Sequence, residues 1–176
     1  MTDLEFLAAF PATGEAGLVP NDWERTEAAL GVTFPSAFMR FLDVFGGAKF
    51  DGFLRVYRAG ADNLNADLLT RTRQARKTMA TTRPHIQKLL AERGTKTSEL
   101  VCWGGTDNAD MCFLIPDGDH RTWAVLCVIG RGGEYDLFEG PVESYLLRIL
   151  RRDLVSDVFP EDFPYETPAY ERHPHI

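Results

Sequence analysis

The chain has 176 residues, 44% of them hydrophobic and 12 of them Phe, enough apolar surface for one sizeable core and, at this length, for one domain. Neither disorder nor a disulfide scaffold is needed to explain that composition. No apolar run reaches the roughly 18 residues that cross a bilayer, and the acidic start MTDLEFLAAF lacks the basic flank of a secretory leader. The expectation is a cytoplasmic protein. The net charge of -7 hides an asymmetry: residues 71–96 hold eight Lys or Arg against Glu92 alone, and residues 99–143 hold nine acids against Arg121 and Arg131.

Thr2 to Ala9 reads as a short helix, followed by the loop PATGEAGLVP. Asn21 with Glu24 three positions on fits an N-cap and its capping box, opening a helix through Leu30 that stops at Gly31. Pro35 and Ser36 start a second, where Phe38, Phe41, Leu42 and Phe45 follow the i, i+3, i+4, i+7 spacing of a buried stripe. Gly46 and Gly47 come after that helix, where free carbonyls repel an anion, so they end the helix and do not cradle a phosphate. Gly46 is expected to be the left-handed residue.

FLRVY, residues 53–57, alternates as a half-buried strand does. Asn63 to Ala80 and Thr82 to Arg93 read as amphipathic helices, the second with Gly94 past its end. From Glu99 the period becomes strand-like: ELVCWGG, ADMCFLI, TWAVLCVI and EYDLFEG, separated by TDN, PDGDHR and GRGG. Connections this short predict an antiparallel meander of four strands. Pro141 opens a last helix with Val142, Tyr145, Leu146, Ile149 and Leu150 on its apolar side. Residues 153–176 are acidic, Pro-rich and without period, and read as a tail partly draped on the domain and partly disordered. The expected fold is α+β: one domain over residues 1–152, a central, largely antiparallel sheet of about five to six strands with helices packed around it, and the tail.

Signatures of catalysis are missing: no Gly-x-Ser-x-Gly, Walker loop, His-Glu-x-x-His or strand-linked Gly-x-Gly-x-x-Gly. No catalytic, cofactor-binding or metal residue is assigned. His85, His120, His173 and His175 sit in turns, a helix surface and the tail, and Cys102, Cys112 and Cys127 lie in apolar runs without ligand spacing, as buried free thiols do. Asp107 and Asp110 are the best acidic pair for general acid and base work, but Asp in such a turn more simply holds backbone amides. The basic stretch lacks interleaved aromatics and belongs to an acidic chain, so it reads as a solvated helix face, able to pair with the acidic sheet region, and not as a nucleic-acid surface.

In order, Trp23, Glu27, Leu30-Gly31, Phe34-Pro35, Phe38, Phe41-Leu42 and Gly46-Gly47 form W-x3-E-x2-LG-x-x-FP-x-x-F-x-x-F-L-x-x-F-GG. That run, with CWGGTDNADMCFLI, an acidic turn, TWAVLCVI carrying Trp123, and EYDLFEGPVESYLLRIL, resembles the SUKH superfamily of fungal Smi/Knr-type regulators and bacterial immunity proteins. The resemblance spans about residues 18–152 and departs at Ala109, where the comparable turn carries Gly. It implies a non-catalytic α+β domain that binds another protein, in bacteria a toxin such as a nuclease or deaminase. The expectation is therefore an immunity protein without cofactor, whose acid excess complements a basic toxin. Its contact surface is expected among Trp103, Asp107, Asp110, Asp117, Asp119, Glu134 and Asp136, with Asp43 and Asp51 near the glycine bend. A regulatory scaffold with no toxin partner is the alternative, and an enzyme built on Asp107 and Asp110 a third. Oligomeric state is not legible.

Overall fold

The structure, a computed structural model, describes residues 1–14, 19–116 and 123–173. Its described residues form one eight-stranded mixed sheet and six α-helices, an α+β architecture with more strands than the five or six expected. No helix among them is long and apolar enough to cross a membrane. The helices are α1 (Asp3–Ala8), α2 (Trp23–Leu30), α3 (Ser36–Phe45), α4 (Leu68–Thr82), α5 (Pro84–Glu92) and α6 (Val142–Leu150). The strands are β1 (Ala12–Gly14), β2 (Lys49–Phe50), β3 (Leu54–Val56), β4 (Val101–Thr106), β5 (Met111–Ile115), β6 (Ala124–Val128), β7 (Tyr135–Phe138) and β8 (Tyr170–Arg172), in the order β1-β8-β2-β3-β4-β5-β6-β7.

The meander expected from residue 99 onward is β4 to β7, antiparallel throughout. Strands β4, β5 and β6 are predominantly apolar, as strands covered on both faces require, and are buried along nearly their whole length, whereas the edge strand β7 is exposed or half-buried. Helix α4 packs on β4 and carries α5 and α2; α6 packs on β6 and carries α1 and α3. The α3 stripe enters the core as its spacing predicts: Phe38, Phe41, Leu42 and Phe45 are all buried. Trp103 is fully buried too, edge-on to Phe41 with ring centroids 6.0 Å apart. The three thiols lie in this core, and burial pushes Cys102 up to about 12 and Cys112 well above its ordinary value.

Local chemistry moves several expected boundaries. Asp22, not Asn21, caps α2, accepting from the Arg25 N–H at 3.3 Å, and Asn21 instead accepts from the Ala59 N–H and donates to Asp43. Helix α4 begins at Leu68, five residues after the expected Asn63. Asp67 caps it through the Thr70 N–H at 2.9 Å, and Asn63 accepts from the Asn65 N–H in a turn. Arg83 leaves the helical region because Pro84 follows it, so α5 starts at Pro84. At the glycine pair, Gly46 is extended (φ -58°, ψ 122°) and Gly47 is left-handed (φ 84°), the reverse of the expectation. Position 46 needs Gly for space: a Cβ there would stand 2.5 Å from the Leu42 carbonyl oxygen.

The described part of the tail, residues 153–173, packs on the domain and adds a strand to the sheet. Strand β8 lies between β1, its parallel neighbour, and β2, its antiparallel one. Tyr170 is buried, with its ring 5.3 Å from those of Phe45 and Phe50. Val158, Phe159 and Phe163 are buried as well. Residues 174–176 lie outside the described residues.

On α6, Glu143 is half-buried with Oε2 unpartnered, and its carboxyl is raised by burial first and then by Asp3. A carboxyl raised on folding stabilises the fold when protonated, so that part of stability is lost as pH climbs from the ordinary glutamate value of 4.5 through the raised one. Glu143→Gln is expected to raise the thermal midpoint relative to the parent at about pH 7 and to lose that advantage near pH 3.5. Equal differences at both pH values in differential scanning fluorimetry would contradict this.

Candidate partner-binding site

Three turns share one end of the sheet: residues 51–53 between β2 and β3, 107–110 between β4 and β5, and 129–134 between β6 and β7. Asp110 joins two of them. It is 2% exposed; one carboxylate oxygen accepts from the Gly130 N–H at 2.7 Å and the other from the Thr106 hydroxyl. Both carboxylate oxygens of Asp110 thus hold hydrogen bonds within the fold. Asp107 is exposed and pairs with Lys49 at 2.9 Å. Between them Ala109 is left-handed at φ 65°, the conformation glycine adopts without steric cost. Ala109→Gly is expected to stabilise by about 0.5–1 kcal/mol in urea denaturation, and a loss of stability would refute strain at this turn.

Other acids named from the sequence also serve internally. Asp51 is buried at φ 48°, and its carboxylate accepts from the Tyr165 and Ala169 N–H groups at 2.9 and 2.7 Å. Asp136 accepts from the Tyr145 hydroxyl at 2.7 Å, the Ser156 hydroxyl and the Asp157 N–H at 2.8 Å. Of the expected contact residues, Trp103, Asp51 and Asp110 are buried, and Asp136 is half-buried and held by hydrogen bonds. Asp107 and Glu134 stay exposed at this end, and Asp43, exposed on α3, accepts from Asn21. Asp117 and Asp119 lie outside the described residues.

Four of the eight bases in the basic stretch are engaged by the fold, while Arg73, Lys77, Lys88 and Lys96 are exposed. Arg76 donates to the Leu100 carbonyl, Arg83 to those of Ile129 and Gly130, and Arg71 lies over the Tyr57 ring. Arg93 forms a two-pronged pair with Glu139, joining the basic helices to the acidic strands.

At the other end of the sheet lies a groove of about 660 Å³, walled by α2 and the loop after it, the 3-10 turn Thr97–Glu99, and Pro116 and Trp123 beside β5 and β6. Its geometry follows from the run beginning at Trp23. Gly31, left-handed at φ 68°, ends α2, and the chain turns back so that Phe34 stacks edge-on with Trp23, Phe38 and Trp123. Glu27 locks that return by accepting the Phe34 N–H at 2.6 Å. Glu24 is on the same helical face one turn earlier, where i and i+3 side chains meet. Glu99 accepts from the Lys96 N–H at 2.7 Å; it also favours the charge of Arg76, which burial and Arg73 disfavour.

Glu24 and Glu99 were not expected as site residues. Glu24 reads as part of a capping box and Glu99 as the start of a strand, and the helical spacing of Glu24 to Glu27 was the one local signal available. No family model matches the chain, and no curated protein or solved structure is significantly similar to it.

Proposed function

We propose that this chain is a cytoplasmic, non-catalytic protein-binding domain, an immunity protein of the SUKH kind that neutralises a basic toxin by covering its active site or substrate groove. The observation that carries the reading is the groove beside Trp123, a concave surface of ligand-binding size with three glutamates in its walls. Excess acid of this kind steers and orients a basic partner. A nuclease or deaminase, which must itself hold a polyanion, is such a partner. The run from Trp23 to Gly47, which carries the SUKH resemblance, also builds one wall of that groove. Co-expression with the open reading frame beside its gene tests the proposal. Growth arrest by the neighbour, relieved when this chain is made and accompanied by co-purification, is the expected outcome. Unrelieved arrest with both proteins folded would overturn it and leave the regulatory scaffold as the better reading.

A further inference from the structure

Among the described residues that line the groove, none is Lys or Arg, although Glu99 interacts electrostatically with Arg76 outside that lining. Leu30, Val32 and Trp123 supply apolar lining beside Glu24, Glu27 and Glu99. Trp123 is 3% exposed, and its indole N–H has no hydrogen-bond acceptor. A buried donor without an acceptor is a standing cost that a bound carbonyl relieves. The walls are held in place before any ligand arrives, by the Glu27 to Phe34 bond and the edge-on ring contacts of Phe34. Carboxylates, apolar lining and an unpaired N–H together call for a ligand with a cationic head, an apolar stem and a carbonyl.

We infer that the groove receives an arginine or lysine presented on a loop of a basic partner protein. Its methylene stem lies along Leu30, Val32 and the Trp123 ring, its cationic head meets Glu24 and Glu99, and a backbone carbonyl of the same loop takes the Trp123 N–H. Long basic side chains bury their stems in this way while the charge keeps polar company, and charge-assisted pairs to carboxylates fix the head. This rests on the protein-binding reading above and adds the chemistry of the partner's anchor.

The test uses the full chain, ¹⁵N-labelled, with the indole resonance of Trp123 assigned from Trp123→Phe. The probe is the peptide acetyl-Ala-Leu-Arg-Leu-Ala-amide, compared with its neutral citrulline counterpart. The arginine peptide is expected to shift the Trp123 indole signal and leave that of core-bound Trp103 in place. Citrulline is expected to bind about tenfold more weakly, as is the arginine peptide to Glu24→Gln/Glu99→Gln. Ala28→Arg, placed on the exposed lining of α2, is expected to block the peptide with its own guanidinium. Absence of a Trp123 shift at millimolar peptide, or equal binding of the citrulline form, would overturn the inference. So would equal capture of a toxin partner by wild type and Glu24→Gln/Glu99→Gln, an outcome that leaves the immunity reading standing. Peptide binding as expected with no toxin neutralised would instead uphold the groove and sink the immunity reading.

Discussion

A chain ending at Arg152 is expected to show no cooperative unfolding transition. The segment it lacks buries Val158, Phe159, Phe163 and Tyr170, and full burial of such side chains contributes about 1.5–3 kcal/mol each. Four of them approach the whole net stability of a typical domain, about 5–15 kcal/mol. The loss spreads beyond those side chains. Strand β1 has β8 as its neighbour and would lose its place in the sheet, Phe45 and Phe50 would lose the Tyr170 ring, and Phe53 would lose Phe159 and Phe163. Asp51 would be left beside the core without the two N–H groups its carboxylate accepts. Asp51→Ala isolates that last effect: it removes two charge-assisted hydrogen bonds and puts Ala at φ 48°, an expected cost of about 3 kcal/mol. Urea titration followed by tryptophan fluorescence checks both. A truncated chain with the parent's midpoint would show that the tail is an accessory.

Asp110→Ala is expected to cost about 3 kcal/mol, because a charged acceptor of two hydrogen bonds is removed from a site that water barely reaches. Asp110→Asn keeps one acceptor oxygen and should cost roughly half as much. Asp107→Ala, three residues away but on the surface, should cost less than about 1 kcal/mol, since exposed ion pairs contribute little. If Asp110→Ala stayed within about 0.5 kcal/mol of the parent, the clamp between the two turns would not matter to the fold. The expected result also constrains how a partner surface is probed at this end of the sheet. Charge reversal at Asp110 would report unfolding, so reversals belong at Asp107 and Glu134.

The parts of the fold legible in the sequence are those with a strong local period. Helix α3 has four aromatic or aliphatic residues at i, i+3, i+4 and i+7, α6 repeats that spacing, and strands β4, β5 and β6 are predominantly apolar runs between turn residues. Strands β1, β2 and β8 escaped because they are two or three residues long and pair across most of the chain, Ala12 opposite Tyr170 and Lys49 opposite Glu171. No local pattern encodes such a pairing. The internal hydrogen bonds of Asp51 and Asp136 were hidden for a related reason: most of their partners, at 165–169 and 156–157, lie 20 or more residues along the chain. Composition counts such acids as charge, and the fold uses them as clamps. The groove was hidden in the same way. Its walls come from residues 24–33, 98–99, 116 and 123, and only the first of these was marked as one unit, by the run from Trp23 to Gly47.

The most direct measurement is calorimetric titration of the purified chain with the product of the adjacent open reading frame, at low and at raised ionic strength. A saturable complex that weakens by about tenfold or more as salt rises, with enzymatic activity of the partner lost at the same stoichiometry, is predicted. No heat and no inhibition between two folded proteins would contradict the account.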